Sequence, residues 1–586
     1  MLESFSYTVI DFETTGFPPN GEIIEIGMVK VTKGQIESKY SKLVKPEKPI
    51  PDEITILTGI SNEMVGDKPS WSDIAEEVIN FIGNSILIAH NVDFDKGFLE
   101  RALGYQLANL WVDTWDLSKI SLPTLPSYQL KYLADYLQLK QRPFHRAISD
   151  AETTAEIFIC LIREISTKSP HFLEQIINII GEGPGGGYNG LNIILKSILK
   201  EKITHYWVNQ KSKITSEEQI NTKETKLPIP FSNLEEFFLP KGLLSSALNN
   251  YEFRPQQLEV AKIIQKALIN NYHGLIEAAT GTGKSLAYLI PALLWAQEND
   301  TKIIISTNTI PLQEQLYHVD IPFLEENFNC KLPVSLVKGR NNYLCLRRYY
   351  KLLRDNDSLD WQEKIFLAQI TGWLEQTQTG DREELNLNSF DNELWINISS
   401  QTETCLGNKC AYAKQCYYLK TRKKAETSKI IITNHSLLLL DIKRDNKVLP
   451  QNEYVIIDEA HNLEDETLNQ FAQDFNYKSL KRALNQLVKG KNTALINRVL
   501  NYFNQPHVDE IPDNLFQIIS TVKADSNYLE TKLEQGIKYI NSQDISLNYE
   551  YRITSRERKS EWWNNFSHIL NDIANYLRAT INNINS

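Results

Sequence analysis

Asp11 and Glu13 stand two residues apart in Tyr7-Thr8-Val9-Ile10-Asp11-Phe12-Glu13-Thr14-Thr15-Gly16, an apolar run that leads directly into acids. Side chains alternate between the faces of a strand, so a strand here projects both carboxylates from one side. Oxygen ligands of this kind suit hard divalent cations. Two such ions a few Å apart can activate a water and stabilise the leaving oxygen of a phosphodiester. A solvated strand edge has the same Asp-x-Glu pattern, so the reading depends on further ligands downstream.

Two further stretches supply them. Ser85-Ile86-Leu87-Ile88-Ala89 reads as a buried strand ending in His90-Asn91-Val92-Asp93-Phe94-Asp95, where Phe94, Phe98 and Leu99 open a helical period. Asp95 is thereby placed at a strand-to-helix junction. His145-Arg146-Ala147-Ile148-Ser149-Asp150 opens another helix, with Ile157, Phe158 and Leu161 in its apolar stripe. Asp150 then lies little more than one turn from His145, close enough for both to face one pocket. The framework expected around them is strands at Ile23 to Val31 and Glu37 to Val44, and helices at Trp71 to Ile82 and Ser127 to Leu137.

Asp-x-Glu-Thr-Thr-Gly, then His-Asn-x-x-Phe-Asp, then His-x-x-x-x-Asp, in that order, resemble the three motifs of the DEDDh exonucleases, a superfamily that includes the proofreading subunit of bacterial replicative polymerases. The resemblance implies a ribonuclease H-like domain over residues 1–165. It implies Asp11, Glu13, Asp95 and Asp150 as ligands of two Mg²⁺ or Mn²⁺ ions, and His145 as the general base toward the attacking water. The set is physically coherent. Clustered carboxylates repel one another unless cations neutralise them, and an imidazole takes up protons near neutral pH.

The second half carries a different chemistry. Leu275-Ile276-Glu277-Ala278 reads as a strand entering Ala278-Ala279-Thr280-Gly281-Thr282-Gly283-Lys284-Ser285, and a helical pattern with Leu286 and Leu289 follows. This is a P-loop with Ala in its first position. Its backbone N–H groups cradle phosphates, Lys284 reaches the β- and γ-phosphates of ATP, and Ser285 takes a Mg²⁺ site. Tyr454-Val455-Ile456-Ile457-Asp458-Glu459-Ala460-His461 is the partner strand, with Asp458 toward Mg²⁺ and catalytic Glu459 toward the hydrolytic water. Apolar runs at Ile303-Ile304-Ile305 and Ile430-Ile431-Ile432 complete a doubly wound, RecA-like domain over 251–461. The DEAH box, Arg254-Pro255-Gln256-Gln257 and Ser306-Thr307-Asn308-Thr309 resemble the first motor domain of superfamily 2 helicases. That resemblance implies adenine recognition by Gln257 and backbone contacts to nucleic acid from the Ser306 to Thr309 stretch.

Cys345, Cys405, Cys410 and Cys416 lie in an insertion at about 338–425, between the P-loop and the DEAH box. Four residues separate Cys405 from Cys410 and five separate Cys410 from Cys416, wider than the usual pairs of a structural zinc site. Their pattern and insertion point resemble the [4Fe-4S] domain of the DinG and XPD helicases. Zinc and unligated thiols remain the other readings. Cys160 reads as plain core, and Cys330 falls outside the pattern.

The rest bounds these readings. A chain of 586 residues implies about three to four domains. With 42% hydrophobic and 23% charged residues, it has an ordinary globular composition. No apolar run spans a membrane and no export pattern precedes the first strand, so a cytoplasmic protein is expected. Net charge is −11, yet cations and aromatics cluster at Arg347 to Lys351, Tyr417 to Lys424 and Arg552 to Trp563, as in single-strand grooves. Residues 166–250 read as a connector, with a linker at Gly181 to Gly187 and a polar stretch from Asn209 to Lys226. Residues 462–586 read as helical, with apolar spacing at Leu480, Leu484 and Leu487 and again from Ile569 to Ile581. By resemblance they begin an arch domain, and no second motor domain is recognised. The pattern as a whole resembles a DinG-type protein. It implies a 3′-5′ exonuclease acting on single-stranded DNA or DNA 3′ ends, with an ATP-binding half not expected to unwind DNA alone. The alternatives are an ATP-dependent helicase with an accessory nuclease, and a non-catalytic DNA-binding, ATP-sensing module.

Overall fold

Strand β1 (Ser6–Thr14) is the centre of a five-stranded sheet whose order is β3-β2-β1-β4-β5. The computed structural model describes residues 6–140, 142–143, 145–181, 190–208, 230–248, 250–328, 330–356, 359–472, 477–488, 495–503, 515–542, 553 and 555–585. In the first sheet β2 (Ile23–Thr32) and β3 (Gln35–Leu43) run antiparallel to their neighbours, whereas β4 (Ile86–Ala89) and β5 (Trp111–Asp113) run parallel to β1. This is the ribonuclease H-like arrangement. It buries β1 on both faces because helices cover both. Ile10 and Phe12 point toward α1 (Trp71–Ile82) and α2 (Val92–Leu103), and Tyr7 and Val9 point toward α4 (Ala147–Thr167). Alternation then places Asp11 and Glu13 on the α4 side, as the strand period requires.

Close approach of α4 to the sheet depends on a glycine. Gly27 pairs with Asp11 across β1 and β2, and a Cβ there would overlap the Ala147 backbone carbonyl at the start of α4. Gly27→Ala should therefore push the α4 N-terminus off the sheet, at a cost of about 1–3 kcal/mol of overpacking. A lowered denaturant midpoint with an unchanged slope would register this.

The core does not end with α4. Helices α5 (Pro170–Ile180) and α6 (Gly190–Val208) occupy part of the segment read as a connector, and Phe172, Leu173, Ile176, Leu191 and Leu195 join the same apolar cluster. The run Gly181-Glu182-Gly183-Pro184-Gly185-Gly186-Gly187 begins at the α5 cap, and 182–187 fall outside the described residues, as does the polar stretch 209–226.

Four parallel strands form the second sheet, in the order β7-β8-β6-β9: β6 (Ile303–Thr307), β7 (Val334–Leu336), β8 (Ile430–Asn434) and β9 (Tyr454–Ile457). Helices α7 (Pro255–Asn270) and α8 (Lys284–Asn299) pack together and share its core. One expectation fails. Leu275-Ile276-Glu277-Ala278 is not a strand; Leu275 is 97% exposed and β9 is the last strand on that side. A short apolar run becomes a strand only when a neighbour takes its hydrogen bonds, and here it lies unpaired with β9.

The cysteine insertion packs in an unexpected place. Its helices α9 (Leu346–Arg354), α10 (Trp361–Leu374) and α11 (Ser389–Ile398) contribute Tyr349, Phe366, Leu367, Ile370 and Trp395 to the cluster that also holds β1 and α4 side chains. Helix α10 packs directly on α3 (Thr114–Ser121) and on α5. Residues 1–470 form one compact unit, and residues 471–586 form a separate helical one. In the latter, α12 (Tyr477–Val488), α13 (Leu515–Ser542) and α14 (Glu561–Asn585) bury Leu484, Leu529, Leu533 and Ile573 against one another. Among the described residues no helix is long and apolar enough to cross a membrane.

Candidate active site

Glu13, His145 and Asp150 each offer a ligand atom, and these atoms all lie within 4.8 Å of one another. Local structure explains the convergence. Glu13 ends β1 on the α4 side, and Asp150 occupies the first turn of α4. His145 precedes that helix in the left-handed region at φ 61°, where its backbone N–H donates to Asp150 Oδ2 at 3.0 Å. Non-glycine residues reach that region rarely and at some cost, so surrounding contacts must hold it. The helix starts at Ala147, so His145 approaches from the preceding turn and not from the helix itself.

Glu25 supplies the hold. It is 1% exposed, sits opposite Glu13 in the β1–β2 ladder, and accepts from the Arg146 guanidinium at 3.1 and 2.8 Å and from the Ala147 N–H at 3.0 Å. Such a two-bond clamp fixes both distance and plane. Sequence reasoning missed Glu25 and Arg146. The available signal was one acid within the otherwise apolar run Ile23-Ile24-Glu25-Ile26-Gly27-Met28-Val29.

Asp11 and Asp95 complete the cluster electrostatically. Burial pushes the Asp11 carboxyl well above its ordinary range, and Asp95, Asp150, Glu13 and Glu25 push it further. Asp95 is buried at the start of α2 and is raised in the same way by burial, with backbone hydrogen bonding at Phe12 working against it. Glu13 rises to about 8 through burial, then Asp150 and Glu25, and Asp150 rises to about 6, mainly through burial. Asp150 Oδ1 is buried and has no hydrogen-bond partner. Mutually repelling acids and an orphaned carboxylate oxygen are what a divalent-ion site consists of before its cation is counted. The residues fit the group.

Behind the site, Asp113 holds the start of α2. It accepts from the N–H groups of Asn91 at 3.1 Å and Val92 at 2.9 Å, and from Trp115 at 2.8 Å. His90 is a half-buried structural histidine. Its ring nitrogens lie 2.9 Å from the Thr114 hydroxyl and 2.9 Å from the Tyr128 carbonyl, and burial lowers it to about 4.

Residues 8–158 match the exonuclease family, RNase T. They form an exonuclease domain. Residues 250–498 match the family described as the Res subunit of type III restriction enzymes, which places a helicase-like domain after the exonuclease domain. The chain is 30% identical over 567 residues to a Bacillus subtilis protein named 3′-5′ exonuclease DinG, covering 95% of this chain and 60% of that protein. A Staphylococcus epidermidis protein of the same name is 32% identical over 507 residues, covering 84% of this chain and 54% of that one. The chain thus spans just over half the length of these curated relatives. A solved structure titled exonuclease X in complex with 5′ overhanging duplex DNA is 28% identical. It covers 28% of this chain and 94% of that one, with a TM-score of 0.25.

In the helicase-like domain, the loop Ala278 to Gly283 leads into α8, with Gly281 and Gly283 at φ 79° and 81°. Lys284 Nζ donates to Glu459 Oε1 at 2.8 Å, joining the P-loop to the DEAH box. Asp458 accepts from the Tyr288 hydroxyl at 3.1 Å, and Ser285 also lies beside that hydroxyl. Gln257 turns inward, its amide donating to the Gly283 carbonyl at 2.9 Å, so it braces the P-loop. Ser306 and Thr307 are buried, Ser306 Oγ lying 2.7 Å from His435 Nδ1, which leaves Asn308 and Thr309 as the accessible part of that stretch.

Of the four insertion cysteines, Cys345 caps α9 and Cys416 caps the following helix Tyr417–Thr427. Burial raises the Cys416 thiol, and Cys345 and Cys405 beside it add to the effect. Cys405 Sγ accepts from the Gly407 N–H at 3.3 Å. All four are free and half-buried.

Proposed function

We propose that the exonuclease domain removes nucleotides from DNA 3′ ends by two-metal hydrolysis, with Asp11, Glu13, Asp95 and Asp150 holding Mg²⁺ or Mn²⁺. The observation that carries this reading is the convergence of Glu13, His145 and Asp150 ligand atoms within 4.8 Å. Bound ions would supply a water acidified to hydroxide and charge neutralisation at the leaving oxygen. The chain's own residues do the rest. The Asp150 bond to the His145 backbone sets the loop from which the imidazole takes the proton of the attacking water. The Glu25–Arg146 clamp keeps that loop in register with Glu13. The names of the DinG relatives favour a 3′-5′ direction. The test uses single-stranded DNA labelled at either end, in Mn²⁺. Release of a 3′ label as mononucleotide, with a 5′ label retained in a shortening ladder, is expected; the opposite order would overturn the reading.

The helicase-like domain binds ATP in this proposal. Ala278 to Gly283 would cradle the phosphates, Lys284 would exchange Glu459 for the β- and γ-phosphates, Ser285 and Asp458 would hold Mg²⁺, and Glu459 would orient the hydrolytic water. Lys284→Ala should weaken binding of a fluorescent ATP analogue at least tenfold while leaving nuclease activity within twofold, readable by anisotropy titration and the end-label assay. Cys345, Cys405, Cys410 and Cys416 hold a [4Fe-4S] cluster in the same proposal. Its support is the shared neighbourhood of Cys345, Cys405 and Cys416 and the N–H directed at Cys405 Sγ. Broad visible absorbance with iron and sulfide at four per chain is the expected analysis; one zinc per chain in a colourless protein would refute it.

A further inference from the structure

Helix α3 belongs to two structures at once. Its N-terminal cap is Asp113, whose carboxylate also holds the Asn91 and Val92 N–H groups and so fixes the start of α2, the helix that presents Asp95. Its outer face belongs to the cysteine insertion. Trp361 Nε1 on α10 donates to Asp116 Oδ2 at 2.9 Å, and Lys119 forms a buried ion pair with Asp391 of α11 at 3.0 Å. Gln369 reaches the Tyr128 hydroxyl at 3.3 Å, and a Cβ on Gly372 would overlap the Ile120 carbonyl. A tryptophan N–H aimed at a half-buried carboxylate is a directional contact for a segment that lies over two hundred residues away in sequence.

We propose that Trp361 is a positioning residue for the exonuclease metal site, acting through Asp116 and the α3 cap to hold Asp95 in place. The inference rests on the exonuclease reading above. Asp113 and Asp116 are both half-buried, and desolvation raises each; Asp116 rises to about 8, with Asp113 adding to the rise and the Trp361 N–H opposing it. Without the indole N–H, the Asp116 carboxylate loses a partner beside Asp113, and the strain falls on the cap that α2 shares. A change in the fold of the insertion is thereby transmitted to the nuclease through Asp116, the Asp113 cap of the same helix and the N–H groups that cap holds at the start of α2.

The test is Mn²⁺ binding to the EDTA-stripped full chain, read by electron paramagnetic resonance without DNA. Trp361→Phe keeps the ring packing and removes the donor. The Mn²⁺ dissociation constant should rise about fivefold to tenfold, with kcat for nucleotide release falling and KM for the oligonucleotide unchanged. Adding Asp116→Asn, which replaces the carboxyl that has lost its donor, should restore the affinity to within twofold of wild type. Asp391→Asn, which releases Lys119 on the same helix, is the second variant and should weaken Mn²⁺ binding in the same direction. Wild-type affinity in Trp361→Phe, or a loss that Asp116→Asn does not repair, would overturn the proposal. Wild-type protein that binds Mn²⁺ yet releases no nucleotide would instead count against the exonuclease reading and leave the affinity comparison intact.

Discussion

Asp11→Asn should make the metal-free protein more stable and the metal-loaded protein inert. Asp11 faces Asp95, Asp150, Glu13 and Glu25, and its carboxyl is held above its ordinary range by burial and by all four. A neutral amide of the same shape relieves that repulsion, so the melting temperature in EDTA should rise by several degrees, corresponding to about 1–2 kcal/mol. Mn²⁺ should then add little, whereas it should stabilise wild type strongly by binding the folded state alone. The pH dependence has a definite sign. Glu13 and Asp150 carry folded values of about 8 and about 6, above their ordinary 4.5 and 3.8. The folded chain therefore binds more protons than the unfolded one in this window, and stability falls as pH rises through it. In EDTA the wild-type midpoint should decline from pH 4 toward pH 8; saturating Mn²⁺ should flatten the decline. A midpoint in EDTA that rises over this range would show that the acids are not packed together.

The second large effect concerns His145→Ala. A positioned general base contributes about 10²–10⁴-fold, so nucleotide release should fall by that factor while Mn²⁺ affinity changes far less than in Asp150→Asn. The Asp150 bond runs to the backbone of residue 145 and survives the substitution. Removing the left-handed strain of a β-carbon residue needs glycine, so His145→Gly and His145→Ala should be equally inactive yet differ in stability, with glycine the more stable. The end-label assay and a Mn²⁺ titration of both variants check this.

Much of the exonuclease domain was legible because its signals are local. β1 is an apolar run that leads into acids, β4 is an apolar run whose following helix carries them, and Trp71–Ile82 shows a clean helical period bounded by the Ser70 capping box. Asp11, Glu13, Asp95, His145 and Asp150 follow from the family resemblance that their three motifs carry, and the structure gathers Glu13, His145 and Asp150 directly. What escaped was tertiary. Glu25 looks like one acid in a strand until the ladder sets it opposite Glu13 and the fold brings Arg146 to it. Helices α5 and α6 were hidden by the glycine-rich run between them, which reads as a linker although the flanking sequences are strongly apolar. The run Leu275 to Ala278 shows the opposite failure, because strand propensity without a hydrogen-bonded neighbour gives no strand. Nothing in the insertion's sequence announces that it packs on α3, since the Trp361–Asp116 contact is set by the fold of both segments.

The measurement that bears most directly on the account is degradation of a 5′-labelled single-stranded oligonucleotide in Mn²⁺ by wild type and by Asp11→Asn, each confirmed folded by its melting curve. A ladder shortening from the 3′ end with wild type, reduced at least about 10³-fold in Asp11→Asn at comparable DNA binding, is the predicted result. A ladder of equal intensity from both proteins, or none from folded wild type loaded with Mn²⁺, would contradict the assignment of Asp11, Glu13, Asp95 and Asp150 as the hydrolytic centre.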